Sequence, residues 1–276
     1  MNIEDVVKET VIGLFSAPVV WDALVLKGGA ALRMGEGIES RMSLDIDLSA
    51  RDQIIDPSHF FAEAVKAIKH RFEPLGYDVV DAKHGTRPKR PIRDDWRGWE
   101  FTFKLSDVEF KGEPLNRRIK SALIPTGSNS SRIMVQISEG EFTDLTKEIK
   151  INGVSIKLYS EILIILEKIR AICQQHPKYK HSLNKNRARD YYDIFQVYRK
   201  YRRVKGFHDE LKKFIVPVFE AKEVPLGLLD DGMFDVDFLT TQKLGFPSVR
   251  DTVSGPLEEF DYYVEQLKIL VKRILN

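Results

Sequence analysis

Apolar residues at Ile3, Val6, Val7, Val11, Leu14 and Phe15 recur at helical spacing and predict an opening helix. Trp21 to Leu26 is a short apolar run that stops at Lys27-Gly28-Gly29, the pattern of a strand entering a glycine turn. Ala30 to Met34 suits a short helix, and Gly35 and Gly37 mark a flexible loop. Leu44-Asp45-Ile46-Asp47-Leu48 then alternates apolar and acidic residues, the period of a strand with one buried face.

Apolar positions 60, 61, 64, 65, 68 and 72 predict a helix over His59 to Phe72, opened by Pro57-Ser58. Tyr77 to Val80, Trp99 to Leu105 and Arg132 to Ser138 read as strands, and His84 to Gly98 as a loop. Asn152-Gly153 between β-branched residues predicts a hairpin over Ile149 to Ile156. Helices follow at Tyr159 to Cys173 and about Asn186 to Arg203. The tail carries helical segments near Phe207–Phe219 and Leu257–Leu275, joined by a glycine- and aspartate-rich loop. The order is mixed α/β first and mostly helical later, an α+β class with residues 1–157 as one domain and 158–276 as a second.

The 276 residues, 43% apolar and 30% charged, supply a sizeable core. No apolar run approaches the ~18 residues of a membrane span, and the first residues lack the basic start of a secretory signal. One cysteine, Cys173, excludes an internal disulfide framework, so a cytoplasmic protein with no membrane partner is expected. Cys173 lies in an apolar helix and reads as buried and inert. The net charge of +2 is uneven: residues 206–276 hold 8 Lys/Arg against 13 Asp/Glu, while Lys178 to Lys205 holds ten basic residues against two acidic ones. Such a surface suits phosphate or nucleic acid, and also suits a solvated helix face.

The chemistry concentrates in Gly28-Gly29 followed by Asp45-x-Asp47. Residues i and i+2 of a strand project from one face, ~6.6 Å apart, so the two carboxylates can share one or two Mg²⁺ ions. Bare glycine backbone lets N–H groups approach a triphosphate, helped by the amino end of the following helix. There is no Gly-x-Ser-x-Gly, no phosphate loop ending in Gly-Lys-Ser/Thr and no His/Cys zinc spacing. Gly35-Glu36-Gly37 is only a fragment of a dinucleotide fingerprint.

Leu26-Lys27-Gly28-Gly29-Ala30-Ala31-Leu32, with Arg41-Met42-Ser43-Leu44-Asp45-Ile46-Asp47-Leu48, resembles the nucleotidyltransferase-fold toxins of the AbiEii/AbiGii group. Glu167-Lys168-Ile169-Arg170-Ala171 resembles the family's lysine-bearing helix, and Arg187-Ala188-Arg189-Asp190-Tyr191-Tyr192-Asp193 its Arg-x-Arg-Asp-x-x-Asp element. The resemblance covers about residues 20–200. It implies a DNA polymerase β-like nucleotidyltransferase fold, a mixed sheet flanked by helices, with a helical carboxy-terminal part that contributes Lys168 and Asp190. It further implies Mg²⁺ (or Mn²⁺) on Asp45 and Asp47, and an NTP held by Lys27, Gly28, Gly29, Arg41, Ser43 and Lys168. Asp190 would orient Lys168 or act as a base. An acceptor such as tRNA or another RNA, and a cognate antitoxin, are the implied partners.

The pattern departs in one place: the strand that usually carries a third carboxylate offers the neutral Gln136. Glu100, Glu139 or Asp190 could supply it, a single metal could suffice, or the chain could be a catalytically inactive binding module. A small-molecule nucleotidyltransferase is a further alternative. Lys185, Arg187 and Arg189 are candidate nucleic-acid contacts, as is the loop Arg87-Pro88-Lys89-Arg90-Pro91 with Arg93 and Arg97. Tyr179, Tyr191, Tyr192, Tyr198 and Tyr201 either stack on bases or belong to the core. Asp193 reads as the surface partner of Arg189, four residues earlier.

Overall fold

The computed structural model describes residues 1–38, 45–89, 96–230, 232–253 and 255–276. The chain divides into two compact units, Met1–Gly35 with Ser43–Tyr159 and Glu36–Met42 with Ser160–Asn276.

The first unit opens with α1 (Ile3–Phe15), whose amino end is capped by Asn2 Oδ1 accepting from the Asp5 amide at 2.8 Å. The apolar run after it splits: Pro18–Ala23 is a helix (α2), and only Leu24–Lys27 is a strand (β1). Pro18 explains the difference, because its fixed φ and missing N–H suit the first turn of a helix. The elements then run α3 (Gly28–Glu36), β2 (Ile46–Ala50), α4 (Pro57–Phe72), β3 (Tyr77–Thr86) and β4 (Gly98–Asp107). They continue α5 (Leu115–Lys120), β5 (Ile133–Ser138), β6 (Thr146–Ile151) and β7 (Val154–Tyr159). β3 extends past the expected Val80 because a register shift between Val80 and Lys83, with Asp81 at φ 53°, absorbs an irregularity without ending the pairing with β4. The first residues of the expected loop from His84 are therefore strand. Asn152 (φ 51°) and Gly153 (φ 81°) make the two-residue turn of the β6–β7 hairpin.

The seven strands form one mixed sheet in the order β3-β4-β5-β2-β1-β7-β6. β2 pairs parallel with β5 and β1 parallel with β7, and the other neighbours are antiparallel. Alternation sorts the faces. Leu26, Ile46, Leu48, Phe101, Phe103, Val135 and Leu158 are buried in one core with residues of α1 and α4. Each fully buried Leu or Ile of β2 is worth about 1.5–3 kcal/mol. The positions between them, Asp47, Glu100, Lys104, Met134 and Gln136, are half-buried on the opposite face.

In the second unit α6 (Glu161–Cys173), capped by Ser160, packs on α7 (Ala188–Tyr201) and α8 (Phe207–Glu220). The tail carries α9 (Val236–Lys243) and α10 (Pro247–Arg250) where a bare loop was expected, then α11 (Phe260–Leu275) against α7 and α8. Tyr191 meets Phe260 edge-on at 4.9 Å, and Tyr192 meets Tyr263 at 5.6 Å. Among the described residues no helix is long and apolar enough to cross a membrane.

Candidate functional site

β1 passes into α3 with no loop, because Gly28 takes φ 65° immediately after Lys27. The antiparallel register sets Lys27 opposite Asp47, the parallel register of β2 and β5 sets Asp47 opposite Gln136, and Gln136 faces Glu100 of β4. Directly opposed residues share a face of the sheet. Lys27, Asp47, Gln136 and Glu100 thus form one row across four strands.

The carboxylate of Asp47 is packed against Gly28: a Cβ built on that glycine would lie 2.6 Å from Asp47 Oδ2. Asp45 is exposed immediately before β2 and lines a surface cleft with Arg132 and Met134, a residue of the same sheet face. Among the described residues, no group of three or more His, Cys, Asp and Glu side chains is placed to hold a metal. The Asp47 carboxylate beside the amino end of α3 is a hard oxygen donor of the kind that holds Mg²⁺, commonly through one or two carboxylates with waters and substrate phosphate. The cradle at Gly28 and this donor chemistry fit Mg²⁺ or Mn²⁺.

The other acids near the row are engaged. Glu100 Oε2 accepts from Arg87 Nη1 at 3.1 Å. Glu139 is buried and accepts from Arg97 Nε (2.7 Å), Trp99 Nε1 (2.8 Å) and the Ile54 amide (3.1 Å), so it holds the end of β5 in place. Gln136 Nε2 lies 3.5 Å from Met134 Sδ. Lys27, nearly buried, is 3.7 Å from Glu141 Oε1. Two residues beyond Asp47, the Ser49 and Tyr159 hydroxyls bond at 2.6 Å. Arg41 and Ser43, and Arg90, Pro91 and Arg93 of the basic loop, lie outside the described residues.

In the helical unit, Lys168 Nζ donates to Asp190 Oδ1 at 2.6 Å and Asp193 Oδ2 at 2.9 Å, with all three side chains buried. Burial pushes the ammonium down, and the charges of Asp190 and Asp193 overcome it, so its pKa stands above the ordinary lysine range. Asp190 Oδ2 is also 3.7 Å from Arg187 Nη1. Asp193 is not the surface partner of Arg189; it is 1% exposed and belongs to Lys168. Its place three residues after Asp190 puts both acids on one face of α7. Lys185 and Arg189 are exposed. Of the tyrosines, Tyr179, Tyr191, Tyr192 and Tyr198 are core, which removes them as base-stacking platforms, and Tyr201 donates to Glu36 Oε2 at 2.6 Å. Cys173 is fully buried, and burial pushes its thiol pKa up.

Two solved structures from Helicobacter pylori resemble this chain. JHP933 is 16% identical with a TM-score of 0.50, over 98% of this chain and 89% of that one. A protein described as a candidate nucleotidyltransferase is 16% identical with a TM-score of 0.50, over 99% and 92%. At that identity the likeness establishes the fold, a mixed sheet flanked by helices. No match was found among curated proteins. Residues 14–266 match the family described as "Nucleotidyl transferase AbiEii toxin, Type IV TA system", and the chain belongs to that family.

Proposed function

We propose that this nucleotidyltransferase moves a nucleoside monophosphate from an NTP to an acceptor, RNA in the first instance, using Mg²⁺ or Mn²⁺ on Asp45 and Asp47. One observation carries the reading: the Asp47 carboxylate lies against the bare backbone of Gly28, where β1 passes into α3. The acceptor oxygen bonds to the α-phosphorus, the bond from that phosphorus to the pyrophosphate oxygen breaks, and the acceptor proton passes to solvent. The bound ion would neutralise the phosphate charge that develops in this displacement. Gly28 and Gly29 stand in the first turn of α3, where backbone amides have no intrahelical acceptor and would face the triphosphate. Lys27, opposite Asp47 in register, adds positive charge beside them. In the helical unit Asp190 and Asp193 hold and orient Lys168. The family description supports a toxin restrained by an antitoxin partner.

The test is incubation of the purified chain with α-labelled NTPs, Mg²⁺, total RNA and a panel of small-molecule alcohols. Label in RNA that disappears in Asp47→Asn supports the proposal, whereas label transfer that persists in Asp45→Asn and Asp47→Asn overturns the metal assignment. Gln136, in the row where a third carboxylate is usual, favours a second reading as an inactive module. NTP binding with no transfer to any acceptor would establish that reading.

A further inference from the structure

We propose that the outer face of β5, β4 and β3 is a track for the phosphodiester backbone of an RNA, starting at Asp45 and running past Arg132 and Lys104 to Lys83, Arg87 and Lys89. It rests on the nucleotidyl-transfer reading and names where the acceptor lies. Two clefts make the track. One, of about 440 Å³, holds Asp45 together with Lys104, Arg132 and Ser128, Ser130 and Ser131. The other, of about 570 Å³, is lined by Lys83, Arg87, Lys89, Lys104 and Arg132, with Asp81 and Glu100 as its acids. Lys104 and Arg132 belong to both, so the surface is continuous.

Register explains why bases from distant sequence positions converge. Thr102 faces Lys83 on one side and Met134 on the other, and Phe103 faces Ile133, so Lys104 and Arg132 stand one step along the same face. Lys83 Nζ is 2.6 Å from Asp81 Oδ1 and Arg87 Nη1 3.1 Å from Glu100 Oε2, so these two cations are paired with the acids of the groove. Lys89, Lys104 and Arg132 carry the positive excess. The Asp81 carboxyl is held below the usual carboxylate range, chiefly by the hydrogen bond from Lys83, with the charges of Lys104 and Arg132 adding to it. The Ser130 hydroxyl accepts from the Arg132 amide at 3.0 Å, and the Ser128 hydroxyl donates to the Ser130 carbonyl at 3.1 Å, so the turn before β5 is ordered. A Cβ at Gly85 would meet nothing within 4 Å, so the floor opposite Glu100 is open.

Direction and length select the ligand. β5 lies on the side of β2 away from β1, so the track leaves Asp45 away from Gly28 and Gly29. Three strand steps, from β2 to β3, span ~14 Å at ~4.8 Å each, enough for several consecutive phosphates of a nucleic-acid strand.

The test is fluorescence anisotropy of a short fluorescein-labelled single-stranded RNA on the full chain, over a range of KCl concentrations. Wild type is compared with Lys104→Gln/Arg132→Gln and with the exposed pair Lys83→Gln/Lys89→Gln, each checked for an unchanged melting temperature. Each pair is expected to weaken RNA binding about 10-fold or more and to lower the salt slope by about two, with NTP affinity unchanged. Binding untouched by both pairs overturns the track. Loss of NTP affinity in place of RNA affinity assigns the groove to the triphosphate and also overturns it. Equal competition by poly-glutamate makes the surface a general polyanion site and overturns it as well. RNA binding that behaves as expected in a chain that transfers no label would sink the nucleotidyl-transfer reading and leave the track standing.

Discussion

Lys168 of α6 and Asp193 of α7 meet at 2.9 Å with both side chains withdrawn from solvent. Asp190 completes the cluster at 2.6 Å. Removing one partner of a buried ion cluster leaves uncompensated charge, which costs about 3–5 kcal/mol. Lys168→Met is therefore expected to destabilise the chain by that amount in urea unfolding, and Asp193→Asn in the Lys168→Met background to recover part of the loss. A change under about 1 kcal/mol would remove the cluster as a structural support. Because the lysine pKa is raised, the stabilisation is fully present below the ordinary lysine range and is lost only as the pH climbs beyond it. Stability differences between wild type and Lys168→Met should accordingly be flat across neutral pH.

Gly28 and Gly76 both hold positive φ, 65° and 85°. A Cβ on Gly76 meets nothing within 4 Å, whereas one on Gly28 meets the Asp47 carboxylate. Alanine at either position costs about 1–2 kcal/mol from left-handed backbone alone. Only Gly28→Ala is expected to abolish nucleotidyl transfer, by about 100-fold or more, because it displaces the carboxylate. Parallel melting curves and label-transfer rates separate the two effects, and equal losses of activity would show that Gly28 matters only for folding.

Glu139 is a support for the sheet. Glu139→Gln weakens the bonds to Arg97 and Trp99, and a loss of about 2–3 kcal/mol is expected. Mg²⁺-dependent NTP binding per folded molecule should survive it, measured by calorimetry. Asp47→Asn should do the reverse, sparing the melting temperature and weakening metal-dependent binding. A Glu139→Gln chain that folds normally but no longer responds to Mg²⁺ would make this acid the missing third ligand.

His176 Nδ1 accepts from the Lys178 amide at 3.2 Å, and burial pushes its pKa down. Burial does the same to His208. The folded chain then binds fewer protons than the unfolded one as the pH falls through the ordinary histidine range. Stability is retained above that range and is lost below it, by up to about 1.4 kcal/mol per pH unit for each group. Melting temperature should fall on acidification from neutral pH, and His176→Asn, whose amide oxygen can accept the same bond, should flatten the slope.

The alternation around Asp47 and the Asn152-Gly153 turn were readable in sequence because each feature is local: a period of two, and two residues that tolerate positive φ. Asp193 and the tyrosines of α7 were not. A periodicity argument assigns acids to the surface, and nothing in a single helix reveals that a lysine 25 residues earlier will meet one inside. The basic groove was half legible. Glu100, Thr102 and Lys104 alternate outward along β4, but only the non-sequential strand order brings Arg132 and Lys83 beside them.

Gln136 sets the charge pattern of the row it stands in. An acid there would stand directly between Asp47 and Glu100, three like charges on neighbouring strands, a destabilising arrangement. The neutral amide separates Asp47 from Glu100 by a full strand step on each side, so each acid answers to its own neighbour, Lys27 opposite Asp47 and Arg87 on Glu100, and the row closes with each negative charge beside a positive one.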